Sequence, residues 1–268
     1  LKYNLNDKNS LRLGASKTYT LPQAKEISPY RYVGVNFNSQ GNPNLKPSDH
    51  YNLDLKWDFN PTSTELISLT AFYKLIKNPI SRIEVASAGG YLSYENIADK
   101  ATVAGVEVEI RKNLFVRPVS NAAHGMNKLS LGLNGSYIYT NAKMPLATVT
   151  TGSQLEGAAP WIVNFDLSHN FTKGERSFVN TLVLNYVSDK IYTIGTQGYQ
   201  DMMEQGVLTL DFVSQAKLNK HLSLNLKARN LLNPSYKLSR KANENGEKVI
   251  LNDYKKGINI SLGVSCTF

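Results

Sequence analysis

Few residues of this 268-residue sequence have the types and spacing that catalysis or metal binding requires. The four histidines, His50, His124, His169 and His221, have no second histidine, cysteine or carboxylate at a metal-ligand spacing on one predicted element. Neither a Gly-x-Ser-x-Gly motif nor a phosphate-binding glycine loop is present. We therefore expect no bound metal and no other cofactor.

Two carboxylates, Glu107 and Glu109, lie on one face of a predicted strand, and a glycosidase uses such a pair. Residues two apart in any strand meet that distance requirement, so the spacing alone is not specific. Arg111 follows on the same face. We interpret the three as a charged row facing a water-filled lumen, and we expect the protein not to be an enzyme.

Six tyrosines in or near the predicted long loops are the candidates for ligand contact. Loops on a rigid scaffold commonly carry binding residues. A tyrosine ring offers a flat apolar face with a polar tip, which suits sugar rings or aromatic chelators. Packing within the loops or at a membrane interface is the alternative. The six residues are Tyr30, Tyr32, Tyr91, Tyr94, Tyr192 and Tyr199.

Period-two alternation from end to end predicts the strands that would position these residues. In residues 51–59 the odd positions are Tyr, Leu, Leu, Trp and Phe, and the even positions are Asn, Asp, Lys and Asp. Residues 161–171 and 258–268 alternate in the same way. We count about 11 such runs, each near the ten residues that cross a tilted bilayer.

The connections between these runs alternate between short and long, with aromatic residues near the strand ends. This arrangement predicts a portion of an antiparallel, up-and-down transmembrane β-barrel in the bacterial outer membrane. A soluble β-sandwich is less consistent with it, because its strands are usually shorter. One long connection, residues 113–127, falls on the short-turn side. The short connections are 6–9, 60–63, 172–176 and 219–221; the long ones are 20–49, 76–100, 142–159 and 191–204.

Composition excludes several other classes. No apolar run of about 18 residues is present, so we predict no transmembrane helix. The single cysteine, Cys266, excludes an internal disulfide framework. The net charge is +9, but the cations are spread over loops and strand ends, and we expect no nucleic-acid partner. Leu1 already resembles the inside of a strand and no signal peptide precedes it, so we expect a piece of a longer protein.

Charged residues fall into two predicted groups. One group alternates with the apolar positions, and we expect it to face the lumen or a plug. The other clusters at the long-loop end of the last hairpin, where lipopolysaccharide phosphates, an anionic ligand or plain solvent would meet it. The first group is Asp54, Lys56, Glu107, Glu109, Arg111, Lys227 and Arg229; the second is Lys237, Arg240, Lys241, Lys248, Lys255 and Lys256.

Several motifs have a structural interpretation and also carry a family resemblance. The prolines of Gly-Asn-Pro-Asn-Leu-Lys-Pro-Ser, residues 41–48, mark where a loop ends and a strand ladder begins. Asn233-Pro234, within residues 229–236, predicts a bulge or an end of pairing. With residues 94–109 and the aromatic C-terminal run 258–268, these motifs resemble TonB-dependent receptors, of the kind common in Bacteroidetes.

The resemblance implies a 22-stranded barrel preceded by a plug domain. Residues 1–268 would form the C-terminal part of that barrel, with the plug and the N-terminal strands outside this sequence. The whole receptor would import a siderophore, vitamin, glycan or peptide with energy from the TonB complex. Outer-membrane lipid and lipopolysaccharide would surround it. A passive porin or structural barrel, and a soluble secreted β-rich binding module, are the alternatives.

Overall fold

The computed structural model describes residues 1–87, 90–119, 125–144, 154–196, 198–242 and 246–268. These residues are almost entirely β-structure, with one short helix, α1 (Ala24–Ile27), after the second strand. The strands are β1 (Lys2–Asn4), β2 (Asn9–Thr20), β3 (Arg31–Tyr32), β4 (Ser39–Gln40), β5 (Ser48–Phe59), β6 (Leu66–Lys77), β7 (Ile80–Val85), β8 (Tyr91–Asn96), β9 (Lys100–Pro118), β10 (Met126–Ala142), β11 (Trp161–Lys173), β12 (Arg176–Val187), β13 (Lys190–Thr193), β14 (Met202–Glu204), β15 (Val207–Lys217), β16 (Leu222–Arg229), β17 (Ser235–Lys241), β18 (Lys248–Lys255) and β19 (Asn259–Cys266).

Eleven strands form one antiparallel sheet, which we call the wall, in the order β1-β2-β5-β6-β9-β10-β11-β12-β15-β16-β19. Each wall strand pairs with the wall strand that precedes it in sequence, so the topology is up-and-down. The prediction of an all-β, up-and-down barrel portion with about 11 strands is confirmed. The remaining strands form two four-stranded sheets, β13-β14-β17-β18 and β3-β4-β8-β7.

The two small sheets and their flanking loops form a cap at the long-loop end of the wall. The cap consists of the described residues within 21–47, 78–99, 154–160, 188–206 and 230–258. Its core contains the buried side chains of Ile83, Ile97, Leu155, Ile191 and Ile194, together with three small alanines. The main buried apolar cluster therefore lies in the cap and at the adjacent strand ends, because a single-layer wall has no interior of its own.

The wall has an apolar outward face. Side chains alternate along a strand, and the register aligns Leu53 of β5 with Ala15 of β2 and Tyr73 of β6. Leu53 is 49% exposed and Leu262 is 70% exposed. The outward positions of β2, β5 and β6 carry no Asp, Glu or Arg between the level of Leu75 and the short turns. Exposure of so large an apolar surface is unfavourable in water, whereas contact with lipid hydrocarbon stabilises it.

Aromatic residues border the apolar band at both ends. Near the short turns, the rings of Trp57 and Phe59 stack 6.2 Å apart, and those of Phe171 and Phe178 lie 6.4 Å apart. A second set of outward aromatic residues borders the band at the long-loop end. From β2 to β12, each of these residues lies either at the same level in the sheet as the one before it or closer to the short turns, as tilted strands require. These upper residues are Tyr19, Tyr51, Tyr73, Tyr139, Trp161 and Tyr186.

Most side chains on the inward face of the wall are polar, and Phe72 is an aromatic exception. Asn164 bridges two neighbouring strands, because its amide donates to Asn134 and its oxygen accepts from Asn185. Phe72 interrupts this face, and the register pairs it with Gly105 of β9. A Cβ on Gly105 would overlap the Phe72 ring, so the ring occupies the space that the glycine leaves open.

The long connection on the short-turn side is largely strand. β9 and β10 continue their pairing to Pro118 and Met126, with a register shift between Leu129 and Ser130. The apparent exception at residues 113–127 is therefore an extended hairpin in its described part. Among the described residues, no helix has the length and apolar character needed to span a membrane.

Candidate functional site

The cap is organised around β7, whose alternating charges bind two other loops. The guanidinium of Arg82 donates to Glu156 Oε1, with Nη2 at 2.7 Å and Nε at 3.2 Å. The backbone N–H of Arg82 donates to the other carboxylate oxygen at 2.5 Å. Glu156 lies on the β10–β11 connection, so this ion pair, with the backbone hydrogen bond beside it, ties that long loop to β7.

A second ion pair fastens the last hairpin to the same strand. Glu84, two residues after Arg82, bonds the guanidinium of Arg240 on β17. Both side chains are more than four-fifths buried. The backbone N–H of Glu84 also donates to the carbonyl of Ile194 at 3.1 Å, and Ile194 N–H donates to the carbonyl of Arg82 at 3.0 Å. Three separate loop segments therefore meet on β7.

Each arginine of these pairs also stacks on a tyrosine. The Arg82 guanidinium lies 4.0 Å from the ring centroid of Tyr192, and that of Arg240 lies 5.2 Å from the centroid of Tyr199. Such cation–π contacts strengthen as water is excluded. Tyr192 therefore contacts an arginine of β7, and Tyr199 contacts an arginine that pairs with β7.

Burial shapes the acid–base behaviour of this cluster. Burial raises the pKa of the Glu156 carboxyl above its ordinary value, although the backbone N–H and the guanidinium of Arg82 oppose the shift. Burial also raises the pKa of the Tyr94 phenol, against the opposing charge of Arg82. Burial lowers the pKa of the Arg82 guanidinium, but the charge and hydrogen bonding of Glu156 keep that pKa above its ordinary value, so Arg82 stays charged.

The six candidate tyrosines all lie in the cap, but their environments differ. Tyr30 is 76% exposed. Tyr32 lies beneath Lys25, and Tyr91 lies beneath Arg31, each at less than 6 Å from cation to ring centroid. The structure brings Tyr192 within 6.3 Å of Phe37, which joins it to the sheet that carries Tyr91 and Tyr94. Tyr199 lies instead beside the last hairpin.

Two pockets open between the last hairpin and the loop that precedes β15. The larger, of about 390 Å³, is lined by residues that include Arg240, Lys241 and Lys248, and its volume falls within the usual range for ligand pockets. The smaller, of about 140 Å³, is lined in part by Tyr192, Tyr236 and Tyr254. The rings of Tyr236 and Tyr254 stack 5.5 Å apart. Sequence reasoning missed these two tyrosines because they lie within strands of the hairpin.

Most cations of the predicted basic cluster have partners within the protein. Lys237 pairs with Asp253 and Lys248 pairs with Asp189, each at 3.7 Å from ammonium to carboxylate. Lys256 lies 3.8 Å from the ring centroid of Tyr236. Arg240 is bound to Glu84, as described above. Most of the hairpin cations therefore bind groups within the cap, which the sequence did not predict. Lys241 lines the larger pocket.

The predicted lumen residues lie at inward positions of the wall, in separate groups. Arg111 Nη2 lies 2.7 Å from Glu109 Oε1, so this carboxylate has a cationic partner on its own strand. Lys56 Nζ lies 3.5 Å from Asp58, which sequence reasoning did not select and which is 5% exposed. The predicted residues that lie at inward positions are Asp54 and Lys56 on β5, Glu107, Glu109 and Arg111 on β9, and Lys227 and Arg229 on β16.

The histidines of the described residues make ordinary polar contacts. His50 bonds the hydroxyl of Thr20 at 2.9 Å, His169 bonds the Asn127 amide at 2.8 Å, and His221 bonds the Thr267 carbonyl at 2.8 Å. His124 lies outside the described residues. Within the described chain, no group of three or more His, Cys, Asp or Glu side chains is arranged to hold a metal ion.

Two of the sequence motifs bind each other across 50 residues. The amide of Asn96 donates to the carbonyls of Lys46 and Asn78 at 3.0 and 2.8 Å, and its oxygen accepts from Lys46 N–H at 2.8 Å. Asn42 donates to the Tyr94 carbonyl at 3.0 Å. β5 begins directly after these contacts, which confirms the predicted boundary between loop and ladder.

The third motif ends the pairing of β16, as predicted. Asn230 and Asn233 adopt left-handed backbone conformations with φ of 58° and 42°, which asparagine tolerates better than most residues. Asn230 donates to the Gly257 carbonyl at 2.7 Å, and Gly257 N–H donates to Asn233 at 3.1 Å. After this turn the chain leaves the wall and enters β17 of the cap.

Comparisons with known proteins agree with this architecture. A family model described as "TonB dependent receptor-like, beta-barrel" matches residues 1–231. An iron-regulated outer membrane virulence protein of Vibrio cholerae is 25% identical over 219 residues, which are 78% of this chain and 31% of that protein. The chain thus spans about a third of the length of this curated relative.

Solved structures share the fold at low sequence identity. A mutant of the ferric enterobactin receptor PfeA from Pseudomonas aeruginosa has a TM-score of 0.61 at 17% identity, covering 100% of this chain and 40% of that one. The ferric yersiniabactin uptake receptor FyuA from Yersinia pestis has a TM-score of 0.62 at 15% identity, with 100% and 36% covered. The copper transporter OprC has a TM-score of 0.65 at 14% identity, with 100% and 38% covered.

Proposed function

The chain belongs to the family of TonB-dependent receptors and forms part of a bacterial outer-membrane β-barrel; from this premise we propose that it is the wall of an importer of a scarce nutrient. The single observation that carries the proposal is the combination of a lipid-compatible outward face, a polar inward face and a packed cap of long loops. A cap of packed loops above a mostly polar inward face suits capture of a ligand before its passage inward.

An iron chelate is the ligand class that we favour. The curated relative is named for iron regulation, and two of the structural neighbours are named as receptors for ferric siderophores. The larger pocket offers the ammonium group of Lys241, and the smaller offers the rings of Tyr192, Tyr236 and Tyr254; such cationic and aromatic groups suit an anionic, aromatic chelate. We propose that Tyr30, Tyr32, Tyr91, Tyr94, Tyr192 and Tyr199 include the ligand contacts.

The remaining parts of the proposal concern the whole receptor. Residues 1–268 would be the C-terminal part of the barrel, and a plug would rest against inward groups such as Asp54, Glu107 and Arg229. The TonB complex would move the plug, while lipid and lipopolysaccharide surround the wall. The family and its structural neighbours are receptors and transporters, and we propose that this protein likewise carries out no catalysis.

Uptake measurements test the import function. Cells that lack the gene and cells complemented with it receive radiolabelled iron as ferric enterobactin, with cyanocobalamin and maltodextrin as comparison nutrients. We expect complementation to restore uptake of the iron chelate alone, and a protonophore to abolish it. Uptake that persists without the proton gradient would support the passive porin instead. Equal uptake of every nutrient with and without the gene would overturn the proposal.

A matched pair of variants tests the proposed contacts. Tyr32→Ala in the cap removes a candidate ring, whereas Tyr139→Ala removes an outward ring at the membrane boundary. We expect only the first change to weaken binding of ferric enterobactin, measured by fluorescence quenching in detergent. Equal effects of the two substitutions would remove Tyr32 from the candidate site.

A further inference from the structure

Three lysines stand on the outward side of the wall, at the upper limit of the apolar band. Lys17 lies on β2, Lys77 on β6 and Lys100 on β9, and all three are exposed. The register pairs Lys17 with Tyr51, and Lys77 with Lys100. Since these positions have the same parity as the lipid-facing leucines, the lysines point away from the lumen and cannot meet a ligand that passes through it.

A tyrosine lies between two of these lysines. Lys17 Nζ lies 5.5 Å from the ring centroid of Tyr51, and Lys77 Nζ lies 5.4 Å from the same centroid. Lysines on the two strands that flank β5 therefore direct their ammonium groups to one ring of β5, which holds them by cation–π attraction. Asp49, 3.4 Å from Lys17, is the acidic residue of this patch. Three cations against one carboxylate leave an excess of positive charge.

Position and charge together indicate what binds there. Directly below the row of Lys17 and Tyr51 the outward residues are Ala15, Leu53 and Tyr73, so the ammonium groups lie where headgroups meet the hydrocarbon. Lysine stems extend along apolar surface while their charges stay in the polar layer. A basic group near an anionic lipid surface gains about 1 kcal/mol per Lys or Arg. Because the wall is in the outer membrane, the facing anions are phosphates of the outer leaflet.

We propose that Lys17, Lys77 and Lys100, with Tyr51, form a binding patch for the phosphate groups of lipopolysaccharide. The proposal depends on the outer-membrane location and not on the imported nutrient. Sequence inspection had assigned possible lipopolysaccharide contacts to the last hairpin, whose cations the structure largely pairs within the cap. The new patch lies on the opposite part of the wall and combines residues from four strands.

A lipid-binding titration tests the patch with a control on the same strand. The full chain is purified in a zwitterionic detergent and titrated with bisphosphorylated lipid A, while bound lipid is counted by native mass spectrometry. The combined variant Lys17→Gln, Lys77→Gln, Lys100→Gln removes the charges, and Lys74→Gln removes one inward charge of β6. We expect the combined variant to bind at least tenfold more weakly, and Lys74→Gln to bind like the unaltered protein.

Two further arms make the result decisive. Dephosphorylated lipid A should bind the unaltered protein as weakly as the phosphorylated lipid binds the combined variant. Tyr51→Leu keeps the surface apolar and should weaken binding less than the combined change. If the combined variant does not fold, judged by heat-modifiable gel mobility, Lys77→Gln and Lys100→Gln are tested singly, each with an expected loss of about threefold. Equal binding of the phosphorylated and dephosphorylated lipids, or of the charge variants and the unaltered protein, would overturn the proposal.

Discussion

Removal of the Glu156 carboxylate should loosen the cap without affecting the wall. In the structure this group accepts three hydrogen bonds from Arg82, one from the backbone and two from the guanidinium. Glu156→Leu leaves these donors without their partner and leaves a positive charge in a buried place. Loss of one member of a fully buried pair costs roughly 3–5 kcal/mol.

The expected magnitude is smaller because the pair is not fully buried. The side chain of Arg82 is 25% exposed and that of Glu156 is 19% exposed, so water recovers part of the lost interaction. The ring of Tyr192 also remains over the guanidinium. We expect the free energy of cap opening to fall by about 2 kcal/mol, which corresponds to roughly 30-fold faster amide exchange when reclosing is faster than exchange from the open state.

Hydrogen exchange read by mass spectrometry measures this opening in detergent. The informative amides are those of Glu84 and Ile194, which bond across the β7 junction. The double variant Arg82→Leu, Glu156→Leu should restore slow exchange in part, because an apolar pair replaces the ion pair at little cost while the backbone N–H at position 82 still lacks its acceptor. Asp253→Asn is the control, since its pair with Lys237 is about 40% exposed and contributes at most about 1 kcal/mol.

Two results would contradict this reasoning. If Glu156→Leu changes the exchange of these amides by less than about threefold, the ion pair does not hold the loop. If Asp253→Asn accelerates exchange as much as Glu156→Leu does, burial does not distinguish the two pairs. Exchange in β10 and β11 should remain slow in every variant, which would separate cap opening from unfolding of the wall.

Three further predictions concern the wall, the motif junction and pH. Leu55→Arg should destabilise the protein in liposomes by roughly 2–4 kcal/mol, measured by urea titration, while Asp54→Arg on the inward face should have little effect. Asn96→Ala, which removes three hydrogen bonds to backbone, should lower stability by about 2–3 kcal/mol in the same titration, and Asn96→Asp should recover only the bond accepted from Lys46 N–H. The pKa of Glu156 is higher when the cap is closed over Arg82, so the closed cap binds the proton more tightly than the open cap does. Acidification should therefore make cap opening less favourable, and this stabilisation should disappear as pH rises through the pKa of the closed state. Glu156→Leu should remove this pH dependence.

The faces of the wall could be predicted because strand alternation is a local property. In residues 51–59 the parity of each position already separates the lipid side from the lumen side, and neighbouring strands only need to keep that parity. The same local chemistry marked Pro47 as the end of a loop and Asn233-Pro234 as the end of a ladder. Phe72 did not fit the pattern. Its ring fills the space that Gly105 leaves open, and Gly105 lies on another strand.

The contacts of the cap could not be predicted because they join distant positions. Arg82 meets Glu156 across 74 residues, and Glu84 meets Arg240 across 156. The sequence pattern placed residues 80–85 inside a long connection, and nothing near them identifies the partners of Arg82 and Glu84. The outward lysine patch could not be predicted for the same reason. Lys17 and Lys77 both contact the Tyr51 ring, and this contact can be recognised only when the strand register is known.

The wall and the cap are stabilised by different solvents, and this difference bears on ligand capture. The wall gains its stability from a continuous hydrogen-bonded ladder and from lipid on its outward face, so its side chains need little packing against one another. The cap lies outside the lipid and must bury its own apolar side chains and ion pairs. A substitution inside the cap can therefore alter loop positions without disturbing membrane insertion. Under the proposed function, the cap is therefore the part of the molecule where ligand specificity can change while the barrel stays intact.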